Sequence, residues 1–292
     1  MWNRIFYLAA ILSLAQAASL VRLAQAPPDV IGTWRMGLAA LCLAPFVLRG
    51  KQILKLFAPH QRKLLGTILI SGLLFYFHLW TYFFAVHHTT IARCMIIFAI
   101  NPVFTAIGAH WFLSEKLDPR FYWSFPLAFA GIGVLVVDQI TTTSFTIGDG
   151  MALASAFFYA GYILTGRKAR LSTTTVNYSF LIYTVAALVF ALIASFRGLN
   201  LTNYPAATWL AILGTVLIPT FMGHFLFSYL LRFLDPSLMT TGKLLEPIVA
   251  SLMAVWLFGE SLDLNIVLAF ALTGSSVVVI LHRPPQNDSP KI

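Results

Sequence analysis

The chain has 292 residues, 59% of them apolar and only 10% charged, with a mean hydropathy of +0.83. An ordinary soluble domain carries about 25% charged residues, so a soluble fold is excluded for the bulk of this chain. The formal net charge of +9 would suggest nucleic acid in a soluble protein. Here the lysines and arginines concentrate in short loops between apolar runs, so the charge concerns membrane orientation, and no nucleic-acid-binding signature is present.

Apolar runs of about 18–23 residues, each enough to cross ~30 Å of hydrocarbon, fall near 5–23, 29–48, 64–84, 89–113 and 121–138. Five more follow near 149–166, 175–196, 206–231, 236–258 and 264–282. The first run, with Arg4 before it and Ala15-Gln16-Ala17 near its end, imitates a cleavable signal peptide. Its Leu8-Ala9 recurs at Leu153-Ala154, which assigns it to a repeat instead. Cys42 and Cys94 both lie inside apolar runs and read as small buried hydrophobes, neither a disulfide framework nor a metal site.

Leu113–Asp118 reads LSEKLD and Phe258–Asp263 reads FGESLD, 145 residues later. At the same offset Pro102 falls on Pro247, Trp111 on Trp256 and Glu115 on Glu260. The chain therefore divides into a five-helix repeat over 1–145 and a second over 146–292. Half-length duplication within an apolar sequence is the signature of a transporter whose halves frame one central site.

An even number of spans puts both termini on one side. Fourteen cations lie there, from Arg4 and the Arg49–Lys63 loop to Arg283 and Lys291, against Arg22 and Arg197 alone on the other. The positive-inside rule makes the termini cytoplasmic. Because five is odd, the second repeat must cross the membrane upside down. The expected fold is an all-α integral membrane protein of ten helices in two inverted repeats.

These residues resemble the EamA-type members of the drug/metabolite transporter superfamily. The resemblance rests on Phe77-His78-Leu79-Trp80, Asn101-Pro102-Val103-Phe104 and Phe112–Leu117 in the first half. Gly223-His224, Leu244–Ile248 and Trp256–Leu262 carry it in the second, with Trp34-Arg35 opening what looks like the family's second span. It implies a ten-helix carrier working by alternating access, usually an exporter of small metabolites. Lys243 and Arg93 depart from the family's usual apolar or small polar residues, so the resemblance does not carry a substrate over.

Four ionisable residues fall inside the spans: Arg35, Arg93, Lys243 and Glu246. Each costs at least ~2.5 kcal/mol near a helix centre on insertion scales, so such groups face a cavity or a partner. Lys243 and Glu246 are three apart on one helical face. They read either as a self-neutralising ion pair or as a cavity-lining lysine beside a glutamate that carries a proton. Arg35, Arg93 and His78 share the outer half of three spans, an arrangement attractive to anions, although both arginines could instead snorkel to headgroups. Pro102 and Pro247 occupy equivalent positions, and each frees a carbonyl four residues earlier, at Phe98 and Lys243. They are the candidate hinges. Asn101 beside one of them and Trp80 or Tyr76, which can stack on a flat substrate, complete the candidate binding set. Glu115 and Glu260, just beyond span ends, read as helix caps.

No phosphate-binding loop, nucleophile elbow or metal motif is present, so no cofactor, metal or enzymatic activity is expected. The sequence reading is a secondary active transporter of the bacterial inner membrane, a monomer or homodimer with Glu246 as its candidate for proton coupling, moving a small anionic or zwitterionic metabolite outward. Amino acids and organic acids suit four basic-capable groups set against one glutamate. Three alternatives stand beside it: an exporter of lipophilic cations, an importer of a nucleotide-like metabolite, and a membrane-embedded enzyme or channel.

Overall fold

The computed structural model describes residues 2–50, 52–114, 119–141, 146–234, 236–241, 243 and 245–281. Glu115 and Thr142 lie outside the described residues. All regular structure among the described residues is helical. In the first half α1 spans Ile5–Ala24, α2 Pro28–Gly50, α3 Arg62–His88, α4 Ile91–Leu113 and α5 Phe121–Thr141. In the second α6 spans Ile147–Arg170, α7 Thr175–Phe196, α8 Ala206–Leu230, α9 Leu245–Phe258 and α10 Leu264–Leu281.

Seven of these, α1–α4 and α6–α8, are long and apolar enough to cross a membrane. Helix α9 is shorter among the described residues, and a separate six-residue helix, Pro236–Thr241, precedes it, with Lys243 between the two. The bundle's outer surface is apolar, with Leu41, Phe46, Leu188, Leu210 and Leu252 all more than half exposed. That exterior suits lipid, which offers no partner to polar groups. Trp111 and Trp256, equivalent in the repeat, are 74% and 76% exposed near the ends of α4 and α9, where tryptophan anchors a helix at the membrane interface.

Local sequence explains where several helices begin. The Thr146 hydroxyl accepts the Asp149 N–H while the Asp149 carboxylate accepts the Thr146 N–H, a capping box that starts α6. The hydroxyls of Thr90 and Thr174 cap α4 and α7 in the simpler way. Arg167, Lys168 and Arg170 close α6 against its negative end.

The packing pairs the two halves helix by helix. Helix α3 packs along α6 and α1 along α8, while α2 meets α7, α4 meets α9 and α5 meets α10. Exchanging the halves turns α3–α6 into α8–α1 and leaves the other three pairings unchanged. Gly148 lets α6 start directly against the end of α3, because a Cβ there would sit 2.7 Å from the His88 carbonyl.

Three helices are irregular, and each irregularity faces the middle of the bundle. Helix α4 breaks between Phe98 and Asn101 and restarts with Pro102 in its first turn. Pro247 likewise lies in the first turn of α9, after the interruption at Lys243. The equivalent prolines thus begin new half-helices, a correction to the expectation of bends within continuous ones. A proline fits a first turn, where its N–H would have no intrahelical acceptor. Helix α8 widens to a π-helix over Val216–Phe225. Its cause is Pro219, which cannot donate to the Thr215 carbonyl four residues back. The Thr220 hydroxyl donates to that carbonyl instead, at 2.8 Å. Gly223 in the same segment admits α1, since a Cβ would meet the Leu14 side chain at 2.7 Å.

Candidate functional site

The α4 and α9 interruptions and the α8 π-segment converge with α1, α2 and α3 on a small central cavity of about 20 Å³. Arg35, His78, Phe98, His224, Lys243 and Glu246 are among the residues that line it. The structure therefore brings together Arg35 of α2, His78 of α3, and Lys243 and Glu246 at the start of α9, from both halves. Each of the four is at most 4% exposed.

Lys243 Nζ lies 3.3 Å from Glu246 Oε1, close enough for an ion pair. Oε1 nonetheless lacks hydrogen-bond geometry to any donor. Lys243 Nζ also sits 3.8 Å above the centre of the Tyr159 ring, with the Phe98 and Phe227 rings at 5.1 and 5.6 Å. In a desolvated site a cation over an aromatic face gains about 2 kcal/mol. The lysine charge is therefore shared between one carboxylate and an aromatic box.

Arg35 is fully buried on α2, with its guanidinium 5.5 Å from the Phe83 ring centre. Its Nε donates to Thr220 Oγ1 at 2.8 Å, while Nη1 and Nη2 are buried without a hydrogen-bond partner. His78 is held through Nδ1, 2.9 Å from Ser155 Oγ, and its ring meets Tyr159 edge-on at 4.9 Å. The His224 ring lies 6.1 Å from that of His78, and its Nδ1 is buried without a partner. An orphaned buried donor or acceptor costs about 1–3 kcal/mol. A cluster of them around one cavity marks a site shaped for polar atoms supplied from elsewhere.

Asn101 stands just outside this lining. Its Nδ2 donates to the Phe98 carbonyl at 2.9 Å, and its Oδ1 is buried without a partner. The carbonyl freed by Pro102 is thus occupied by the asparagine rather than offered to a substrate. Trp80 and Arg93 are not brought to the cavity. The Trp80 indole N–H donates to Asp29 Oδ1 at 3.0 Å, and Arg93 Nη2 pairs with Asp149 Oδ2 at 2.7 Å. Their partners, Asp29 and Asp149, are buried acids at the starts of α2 and α6.

Three ion pairs close the end of the bundle that carries Arg22 and Arg197. They are Arg22–Glu260, Arg93–Asp149 and Arg197–Asp29, the last at 2.5 Å. Every one joins a residue of the first half to a residue of the second. Glu260 also accepts the N–H groups of Ile91 and Ala92 that begin α4, which is the capping role expected of it. The Arg22 guanidinium donates to the Val86 carbonyl, and Arg167 Nη1 donates to the Leu231 carbonyl at 2.6 Å. Both donor and acceptor are displaced by the repeat offset of 145 residues, so the two halves make the same contact at opposite helix ends.

Two helical half-repeats surround a small cavity that holds buried charged side chains, inside an apolar exterior, an arrangement that suits a membrane transporter. The chain belongs to the EamA-like transporter family, whose model matches it twice, over residues 2–137 and 146–282. It is 26% identical over 207 residues to the uncharacterized transporter YyaM of Bacillus subtilis, covering 68% of this chain and 66% of that one. It is also 26% identical over 122 residues to the pseudopaline exporter CntI of Pseudomonas aeruginosa, covering 42% of this chain and 43% of that protein. A solved crystal structure shares the fold at a TM-score of 0.71 and 18% identity, covering 95% of this chain and 96% of its own. The relatives are named as transporters, not enzymes.

Proposed function

We propose that the protein is a secondary active transporter that exports a small anionic or zwitterionic metabolite, such as an amino acid or organic acid, by alternating access. The observation that carries this reading is Arg35, whose two terminal nitrogens are buried without partners beside the Lys243–Glu246 pair. Counting the histidines as neutral, the cavity has one net positive charge. A cavity of about 20 Å³ holds little more than a water, whereas metabolite-sized pockets run to about 300–1,000 Å³. Binding thus requires the halves to part, and the broken helices α4 and α9 with Pro102 and Pro247 are where they bend. The exporter among the relatives favours the outward direction.

The exchange symmetry of the helix packing supports ten spans in two inverted repeats, 1–145 and 146–292. The cation distribution supports both termini in the cytoplasm, with the three ion pairs at the extracytoplasmic end. A reporter fused after Ile292 is expected to be cytoplasmic and one inserted near Thr142 extracytoplasmic. Both positions lie outside the described residues, so neither insertion interrupts a described helix. Reporters found on the same side would refute the inverted repeat. Transport itself is tested by loading proteoliposomes with a panel of labelled metabolites and measuring counterflow. Saturable exchange of an acid or amino acid is expected, and uptake of lipophilic cations alone would reverse the substrate reading.

Glu246 is the candidate for proton coupling, because it is the one carboxylate lining the cavity among the described residues. Lys243, Arg35, His78, His224 and Tyr159 surround it. A proton-coupled exporter takes a proton inward as substrate leaves, so an acidic exterior accelerates export. Glu246→Gln is expected to keep substrate exchange at equal pH and to lose that acceleration. Unchanged gradient-driven flux in the variant would remove the glutamate from the coupling step.

A further inference from the structure

The cavity holds one charged group whose aim is set from outside its own helix. Arg35 belongs to α2, yet its only side-chain hydrogen bond among the described residues runs from Nε to Thr220 Oγ1 on α8, at 2.8 Å. Thr220 is itself fixed, because its hydroxyl donates to the Thr215 carbonyl at 2.8 Å. That carbonyl is available because Pro219 has no N–H to give it, and the resulting π-segment brings Thr220 and His224 to buried, inward-facing positions. A threonine hydroxyl has one hydrogen and two lone pairs. With its hydrogen directed to Thr215, it meets Arg35 with a lone pair, so the hydroxyl can only accept there. The chain of causes runs from Pro219 to the π turn, to the rotamer of Thr220, and to the orientation of the guanidinium.

We propose that Thr220 is the positioning residue of a carboxylate clamp: by holding Nε of Arg35, it turns Nη1 and Nη2 toward the substrate. This rests on the reading of the cavity as a site for an anionic or zwitterionic metabolite. A planar guanidinium with Nε occupied still has its end-on pair of N–H groups, which match the two oxygens of a carboxylate. Charge selects the same ligand. Lys243 and Glu246 cancel, leaving Arg35 as one positive charge in a buried site, and a carboxylate supplies one negative charge, whereas a phosphate monoester at pH 7 carries more. The Phe83 ring, 5.5 Å from the guanidinium carbon, keeps water from solvating the guanidinium on that side. A guanidinium held by Phe83 alone would be free to swing, and a bidentate contact is sensitive to small misalignments.

The test uses purified full-length protein in detergent, with binding read as thermal stabilisation against ligand concentration. The probes are two acid–amide pairs in which the amide has no carboxylate: lactate with lactamide, and L-alanine with L-alaninamide. Wild-type protein is expected to be stabilised more by at least one acid than by its amide. Thr220→Val, nearly the same shape without the hydroxyl, is expected to bind that acid about tenfold more weakly, the size of one hydrogen bond's contribution. Its weak response to the amide should not change. Thr220→Ser restores the hydroxyl and should bind like wild type. Thr220→Ala supplies the same comparison where valine disturbs the fold. Wild-type affinity for the acid in folded Thr220→Val or Thr220→Ala overturns the positioning role while leaving the carboxylate reading intact. If neither acid stabilises wild type above its amide, the carboxylate reading fails and the role of Thr220 fails with it.

Discussion

Replacing Lys243 with alanine is expected to reduce transport at least ~100-fold while the protein still inserts in the membrane. The substitution removes the cation that faces Glu246 at 3.3 Å and fills the box of Tyr159, Phe98 and Phe227. Removing one partner of a buried ion pair costs about 3–5 kcal/mol, because the other charge is left without compensation. Loss of stability alone would therefore lower activity, and a second protein separates the two effects. The double substitution Lys243→Met with Glu246→Leu removes both charges and fills the space with apolar atoms, an exchange that is often neutral or stabilising. Its melting temperature should recover to that of wild type. Its counterflow should not, if the pair belongs to the substrate site. Wild-type transport by the double variant would reduce the pair to a structural feature of the α9 break.

The sequence showed some of this directly and hid the rest for physical reasons. The spans were legible because hydrocarbon demands about 20 apolar residues in a row, and a duplicated proline and tryptophan mark equivalent places in both halves. The spacing of Lys243 and Glu246 showed that they share a helical face. Arg35 was legible as a charge with nowhere in its own helix to go. Asp29 and Asp149 were not, because an acid at a helix start reads as a cap. Their arginine partners lie 168 and 56 residues away, with no local pattern to announce them. Arg93 and Trp80 consequently looked like cavity residues until their acceptors were known. Thr220 could not be read at all. Its inward aim depends on the π turn, for which the only local signal is a proline four residues after Thr215.

Neutralising Glu260 is expected to open the end of the bundle closed by the three cross-repeat ion pairs. That end is extracytoplasmic in the proposed orientation. Glu260 has two tasks there: it pairs with Arg22 and it caps the Ile91 and Ala92 N–H groups at the start of α4. Glu260→Gln keeps a carbonyl acceptor for the cap but removes the charge from both. Arg22→Gln leaves the cap whole and so should act more weakly. A hydrogen bond to a charged group contributes about 1.5–3 kcal/mol, and each 1.4 kcal/mol shifts a two-state equilibrium about tenfold. The population open on this side should therefore rise by a factor of about ten or more in Glu260→Gln. Ala17 lines the cavity and is 6% exposed, so cysteine placed there reports access once Cys42 and Cys94 are replaced. In intact cells a membrane-impermeant thiol reagent should label Ala17→Cys slowly. Adding Glu260→Gln should speed labelling about tenfold, and adding Arg22→Gln should speed it less. Transport should fall in step, because a carrier held open on one side cannot complete its cycle. Equal labelling rates with and without Glu260→Gln would mean that the ion pairs only fasten the two halves together and take no part in opening them.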